Sequence, residues 1–234
     1  MASFSSSSDH ILVEEKSSVG KFTLNRPKQL NVISPSMASR LLELYTTCAN
    51  NSSVKLIILK GKGRAFCAGG DVATIIRDIA QDNWRSGADF FRKVFTVNYV
   101  VATYNKVQVA LMNGIVMGGG ASVAIHGTFR VVTENTLFAM PETTLGSFPD
   151  IGASYYLSRV PGFVGEYVGL TSARLDGAEM LVCGLATHFV QSEKLSLLEA
   201  ALEKADSSDP VVISSTISEF SEVPNLKEKS ACYK

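Results

Sequence analysis

Short runs of β-branched and aliphatic residues alternate along the chain with segments whose apolar positions recur every three or four residues. Residues 11–15 and 21–24 predict two strands with a turn at Gly20. Asn25-Arg26-Pro27 ends the second, because proline has no N–H to give to a ladder. Ser34-Pro35 then opens a helix, with a hydroxyl that can cap and a proline suited to the first turn. Behind it Met37, Leu41, Leu44 and Tyr45 keep helical spacing. Residues 54–59 and 107–112 are continuous apolar runs, the pattern of strands buried on both faces. Helices are predicted over 72–80 and 88–103, strands over 129–133 and 137–139, and helices roughly over 152–159, 165–170, 177–183 and 193–203. Residues 206–234 are mixed and polar and predict one further helix at most. Strands alternating with helices predict an α/β domain.

Composition narrows the partners. The chain has 234 residues and 46% hydrophobic content, enough for the core of one domain. Its 22 Lys and Arg balance 22 Asp and Glu, so no global charge draws it to nucleic acid or to an anionic membrane. No apolar run reaches the roughly 18 residues that span a bilayer. Cys48, Cys67, Cys183 and Cys232 form no CxxC pair, so no metal site is expected, and reduced buried thiols are. Residues 1–9, rich in Ser, read as a disordered tail without the features of a secretory or transit signal. The end Ala231-Cys232-Tyr233-Lys234 is not a Ser-Lys-Leu type address, and the chain by itself reads as cytosolic.

Two glycine-rich loops carry the candidate chemistry. Gly61-Lys62-Gly63-Arg64-Ala65-Phe66-Cys67-Ala68-Gly69-Gly70-Asp71 lies between a predicted buried strand and a helix. Asn113-Gly114-Ile115-Val116-Met117-Gly118-Gly119-Gly120 repeats the arrangement after the strand at 107–112. Three glycines at a helix start cost roughly 1 kcal/mol each relative to alanine, which close packing or backbone contact with a ligand must offset. Neither loop has the Gly-Lys-Ser/Thr ending of a P-loop, and neither is GxGxxG. Each is compatible with an ordinary strand-to-helix turn. Each is also suited to present a backbone N–H to one shared oxygen, which is the makeup of an oxyanion hole.

Together the two loops resemble the oxyanion segments of the crotonase (enoyl-CoA hydratase/isomerase) superfamily. The resemblance implies a crotonase-like α/β fold, a spiral of ββα units with a helical C-terminal part. It implies an acyl-CoA thioester substrate, with coenzyme A as part of the substrate and no separate cofactor. It assigns the oxyanion donors to the N–H groups of Ala68 and Gly119. Lys28, Gly69, Gly70, Asp71, Gly118 and Gly119, with Glu142 and Asp150, form the expected substrate and coenzyme A contacts. Asn25-Arg26-Pro27 and Asn31 resemble the N-terminal signature beside the coenzyme. Lys62 and Arg64 are further phosphate candidates or plain surface charges.

A narrower resemblance lies in Phe138-Ala139-Met140-Pro141-Glu142-Thr143, Gly146-Ser147-Phe148-Pro149-Asp150-Ile151-Gly152, Arg174-Leu175 and Ala186-Thr187-His188-Phe189-Val190. These are similar to the 3-hydroxyisobutyryl-CoA hydrolases of valine catabolism, plant members in particular. Their activity would be hydrolysis of a short branched 3-hydroxyacyl-CoA. Glu142 and Asp150 are the candidate catalytic pair, since carboxylates in unlike surroundings can divide the handling of water and a leaving thiolate. On spacing alone they read rather as two solvated loop acids, or Glu142 as a residue capping a turn. Family hydratases carry a second glutamate where this chain has Ser122, which disfavours a two-glutamate hydration and leaves isomerase or hydratase chemistry through Glu142 alone as the alternative. A non-catalytic acyl-CoA-binding paralogue is the other. Ser154 lacks a Gly-x-Ser-x-Gly elbow, and His126 and His188 read as structural.

The family pattern places the acyl-CoA domain at residues 10–204 and a short segment at 205–234, with the family's helical region largely missing. It also puts an acidic residue near Lys93-Val94, where this chain has none. The implied partners are a trimer-type homo-oligomer or a full-length relative, and the implied compartments are the peroxisome or mitochondrion.

Overall fold

A computed structural model describes residues 9–226 and residue 230. The tail expected over residues 1–9 lies outside them except for Asp9, and so does Cys232. The two N-terminal strands are β1 (Ile11–Lys16) and β2 (Val19–Leu24), paired antiparallel. Helix α1 (Pro35–Asn50) starts where the sequence predicts it, with the Ser34 hydroxyl accepting from Met37 N. Strands β3 (Leu56–Gly61) and β4 (Ala65–Cys67) follow, then α2 (Val72–Ala80) and α3 (Trp84–Ala102). Next come β5 (Val107–Met112), β6 (Ile115–Met117), α4 (Gly119–Ile125), β7 (Phe129–Val132) and β8 (Leu137–Ala139). The remainder is α5 (Ala153–Leu157), α6 (Val164–Thr171), β9 (Leu175–Asp176), α7 (Gly177–Val182), β10 (His188–Phe189), α8 (Leu195–Ala205) and α9 (Pro210–Ser218).

These strands form two sheets. One has the order β1-β2-β3-β5-β7-β10, parallel apart from the first pair. The other has the order β4-β6-β8-β9, parallel apart from the last pair. The apolar run of β3 shows why both faces of the larger sheet are dry. Ile57 and Leu59 point into a core shared with α1, α3 and the smaller sheet, while Leu56 and Ile58 point into a second core. That second core is closed by Leu198 and Leu202 of α8 and Ile213 and Ile217 of α9. Each such side chain withdrawn from water contributes roughly 1.5–3 kcal/mol. Polar contacts fix α8 in the same place. Lys21 of β2, only 7% exposed, meets Glu203 at 2.9 Å and Glu199 at 3.4 Å, and Lys60 of β3 meets Glu199 at 2.6 Å.

One sequence reading changes. The strands β4 and β6 lie inside the stretches read as glycine loops; three residues are too few to show a period. The segment after residue 204 holds the one further helix, α9, whose Ile213 and Ile217 are fully buried against the large sheet. Among the described residues no helix is long and apolar enough to cross a membrane.

Candidate active site

Parallel pairing of β4 with β6 decides where the glycine loops go. Ala65 faces Ile115 and Cys67 faces Val116, so the two chains leave the sheet side by side at the same end. The first loop is pinned by Ile33, whose N–H donates to Gly69 O (2.8 Å) and whose carbonyl accepts from Asp71 N (2.9 Å). Gly69 takes φ +121, a conformation that glycine tolerates. The second loop packs against the first so closely that a β-carbon on Gly119 would stand 3.1 Å from Gly70 N. At Gly120 it would stand 2.1 Å from Cys67 O, so the glycine run lets α4 rest on β4.

This geometry corrects one donor. The N–H of Ala68 donates to Leu30 O at 3.0 Å and is not available to a ligand. The N–H groups of Gly70 and Gly119 lie next to each other, and neither has an acceptor among the described residues. Along the pinned loop the N–H groups of Ala68 and Asp71 are taken by Leu30 O and Ile33 O, and that of Gly70 is left facing its neighbour.

Both loops border a cavity of ≈ 240 Å³. Gly69, Gly70, Gly118, Gly119, Glu142 and Asp150 all line it. Phe90, Phe91 and Val94 of α3 supply apolar wall, including the place where the family pattern suggests an acid. Glu142 follows β8 through Met140-Pro141, and β8 is the parallel neighbour of β6, which brings the carboxyl over Gly118. Its Oε2 is buried and has no hydrogen-bond partner among the described residues. Burial raises its pKa from 4.5 to about 7; a hydrogen bond from its own backbone N–H opposes the rise and the charge of Asp150 adds to it. Burial raises Asp150 as well, against a hydrogen bond from its own backbone N–H. A carboxylate held without a compensating cation is a poor structural element and a good proton acceptor near neutrality.

Other expected residues sit elsewhere. Asp71 does not line the cavity; it caps α2 by accepting from Thr74 N and pairs with Arg26 at 3.0 Å. Arg26 also donates to Val32 O (2.9 Å), and the buried Asn31 amide donates to Ala65 O (2.7 Å) and Lys62 O (3.0 Å). The Asn25-Arg26-Pro27 segment and Asn31 therefore brace the first loop from behind. Lys28 is exposed on the turn Pro27–Gln29 outside the cavity wall. Cys67 is buried, with burial pushing its thiol up to about 12, so it is no nucleophile. Ser122 is buried, with its Oγ 2.8 Å from Gly119 O and 2.7 Å from Asn98 Oδ1, an uncharged brace at the start of α4. Sequence reasoning missed Tyr156, which packs in α5 near both acids; their charges and, above all, burial raise its pKa.

The family model described as enoyl-CoA hydratase/isomerase matches residues 19–234. The chain belongs to that family. It is 62% identical over 231 residues to 3-hydroxyisobutyryl-CoA hydrolase 1 of Arabidopsis thaliana, covering 99% of this chain and 61% of that protein. It is 43% identical over 217 residues to small ribosomal subunit protein mS47 of Schizosaccharomyces pombe, covering 93% of this chain and 51% of that one. A solved carnitinyl-CoA dehydratase from Mycobacterium thermoresistibile superposes with a TM-score of 0.86 at 35% identity, over 94% of this chain and 63% of that one. The chain thus spans about three fifths of the length of the Arabidopsis hydrolase it matches. The superposition on the solved dehydratase bears out the crotonase-like α/β fold.

Proposed function

We propose that this chain hydrolyses a short branched 3-hydroxyacyl-CoA thioester of the 3-hydroxyisobutyryl-CoA type. The observation that carries the reading is the buried, unpartnered Glu142 Oε2 in the same small cavity as the adjacent Gly70 and Gly119 N–H groups. In this reading the thioester oxygen accepts from those two amides. They stabilise the negative charge that builds on it as the carbonyl is attacked, an effect typically worth about 100- to 1000-fold in rate per donor. Glu142, ionised above about pH 7, takes a proton from the attacking water. The new C–O bond forms, the C–S bond breaks, and the proton passes to the departing thiolate. Asp150 holds the 3-hydroxyl group against the other wall. Ser122, whose Oγ lies 2.8 Å from Gly119 O, stands where family hydratases carry a second glutamate, which supports hydrolysis over hydration.

The test is thiol release from 3-hydroxyisobutyryl-CoA, followed with a thiol reagent, for the wild type and for Glu142→Gln and Asp150→Asn. The expected result is turnover by the wild type, reduced at least about 100-fold by Glu142→Gln. Turnover by Glu142→Gln at the wild-type rate refutes the assignment. A second reading is acyl-CoA binding without turnover, and a relative named as a ribosomal subunit is in keeping with a role other than catalysis; calorimetric binding with no thiol release selects it. Leu145 and Phe148, 69% and 70% exposed beside the site, suit cover by a trimer-type copy or a longer relative, which light scattering of the chain alone and mixed with that relative would detect.

A further inference from the structure

We infer that His126 is a positioning residue that locks the loop carrying Asp150, and this inference rests on the hydrolase reading above. Helix α4 begins at Gly119, one of the two free amides, and its C-cap is His126. One short helix therefore touches both halves of the site.

The Asp150 loop is strained in a specific way. Ile151 takes φ +46 and Gly152 takes φ +77, two successive left-handed residues. A β-branched side chain adopts that conformation only where its surroundings impose it. His126 supplies the surroundings. Its Nε2 lies 2.6 Å, and its Cε1 3.0 Å, from where a β-carbon on residue 152 would stand, so the imidazole occupies the space that only glycine leaves open. The Ile151 backbone also faces the ring and favours its protonated form, the sense expected where a ring N–H is directed at a backbone carbonyl. Tyr156 closes on the ring edge-on, with centroids 5.6 Å apart and planes at 70°, and Tyr155 lies tilted at 6.2 Å. The Tyr156 hydroxyl in turn donates to Met140 Sδ at 3.1 Å, two residues ahead of Glu142.

The other charged groups near the ring are Arg130 of β7 and Asp150 itself, which line the same larger cavity on the far side of the loop. Burial first, and the Arg130 charge second, hold the ring below its ordinary pKa of 6.5 and so neutral at neutral pH. A neutral imidazole has one N–H to give. Held by Gly152, Tyr155 and Tyr156 with that N–H directed at Ile151, the ring in turn holds the backbone that carries Asp150.

The test uses the full chain with three variants. His126→Phe keeps a ring of similar breadth and removes the donor. His126→Gln keeps a donor. Gly152→Ala pushes a methyl group into the ring's place. Two readouts are taken: kcat and KM for thioester hydrolysis, and amide hydrogen exchange at Ala153, whose N–H donates to Asp150 O at 2.8 Å. The expected result for His126→Phe is at least about 10-fold faster exchange at Ala153, and a fall of about 10- to 30-fold in kcat with KM within about 2-fold. His126→Gln should recover most of both. Gly152→Ala should lower kcat similarly, and the double variant with His126→Phe should be no worse than either alone. Wild-type exchange and kcat in His126→Phe would overturn the inference. So would His126→Gln performing no better than His126→Phe, or exchange rising equally throughout the chain, since each describes mere packing. If the wild type releases no thiol, the hydrolase reading fails, while exchange at Ala153 still decides whether His126 holds the loop.

Discussion

Gly118 and Glu142 are in contact through a space too small for a methyl group: a β-carbon on Gly118 would stand 2.4 Å from Glu142 Oε1. Gly118 also takes φ +47 and ψ −124 ahead of α4, a backbone conformation strained for any residue with a side chain. Gly118→Ala should therefore both strain the turn and push the carboxyl out of its place. We expect a loss of about 1–3 kcal/mol in stability from the backbone alone. Thioester hydrolysis should fall by more than about 100-fold, because a misplacement of the order of 1 Å has that effect. Denaturant unfolding and a thiol-release assay measure the two separately.

Glu142 stands under a conflict between stability and chemistry. Its folded-state pKa, about 7, is above the ordinary 4.5. Below pH 4.5 both folded and unfolded forms hold the proton, and the group does not affect stability. Between 4.5 and 7 the unfolded chain ionises first, so folding stability falls as pH rises; above 7 the loss is complete. For a half-buried group screened by solvent, the loss is on the order of 1–2 kcal/mol. Glu142→Gln should remove this slope and melt at a higher temperature than the wild type at pH 8, with little difference at pH 4. The same variant should lose hydrolysis, whose kcat/KM in the wild type should rise through about pH 7. A wild-type melting temperature that does not change between pH 4.5 and 7 relative to Glu142→Gln would contradict the buried, unpaired carboxyl.

Asp71 separates bracing from binding. It caps α2 and pairs with Arg26, with both side chains largely out of water. Asp71→Asn keeps a capping oxygen and removes the charge. Its effect should be a stability loss of about 1–3 kcal/mol from an arginine left without its partner. KM for the acyl-CoA should stay within about 2-fold, since the side chain does not border the cavity. A large rise in KM with unchanged melting would return Asp71 to the coenzyme site.

How much of this was legible in the sequence follows from the physics of each signal. The strand at Val107–Met112, the helix at Val72–Ala80 and the Ser34-Pro35 helix start were readable because period and capping are local properties. Glu142, Asp150 and the two glycine loops were readable as candidates from their motifs. Which N–H of the first loop is free was not, because it depends on Leu30 and Ile33, more than thirty residues away, taking the hydrogen bonds of Ala68 and Asp71. The strands β4 and β6 were hidden for the same reason: three residues carry no period, and pairing with a distant neighbour makes them strands. Asp71 was misread because a motif does not say which way a side chain turns.

The C-terminal helix gives the sharpest test of where the domain ends. Residues 206–234 look polar in sequence, yet Ile213 and Ile217, four apart in α9, are fully buried on the outer face of the large sheet with Leu198 and Leu202. They share that core with Leu56 and Ile58 of β3, whose alternate residues Ile57 and Leu59 face the core beneath the reaction cavity. If α9 is an integral layer, Ile217→Ala should cost about 2–4 kcal/mol, the range for a large side chain removed from a packed interior. If it is an appendage beyond residue 204, the same change should cost less than about 0.5 kcal/mol, as surface substitutions do. The sheet lies between the two cores, so the integral reading adds a second consequence. The variant should unfold in a single transition, with loss of α8 and α9 and loss of the glycine-loop geometry at the same denaturant concentration, measured by far-UV circular dichroism and by binding of a coenzyme A thioester.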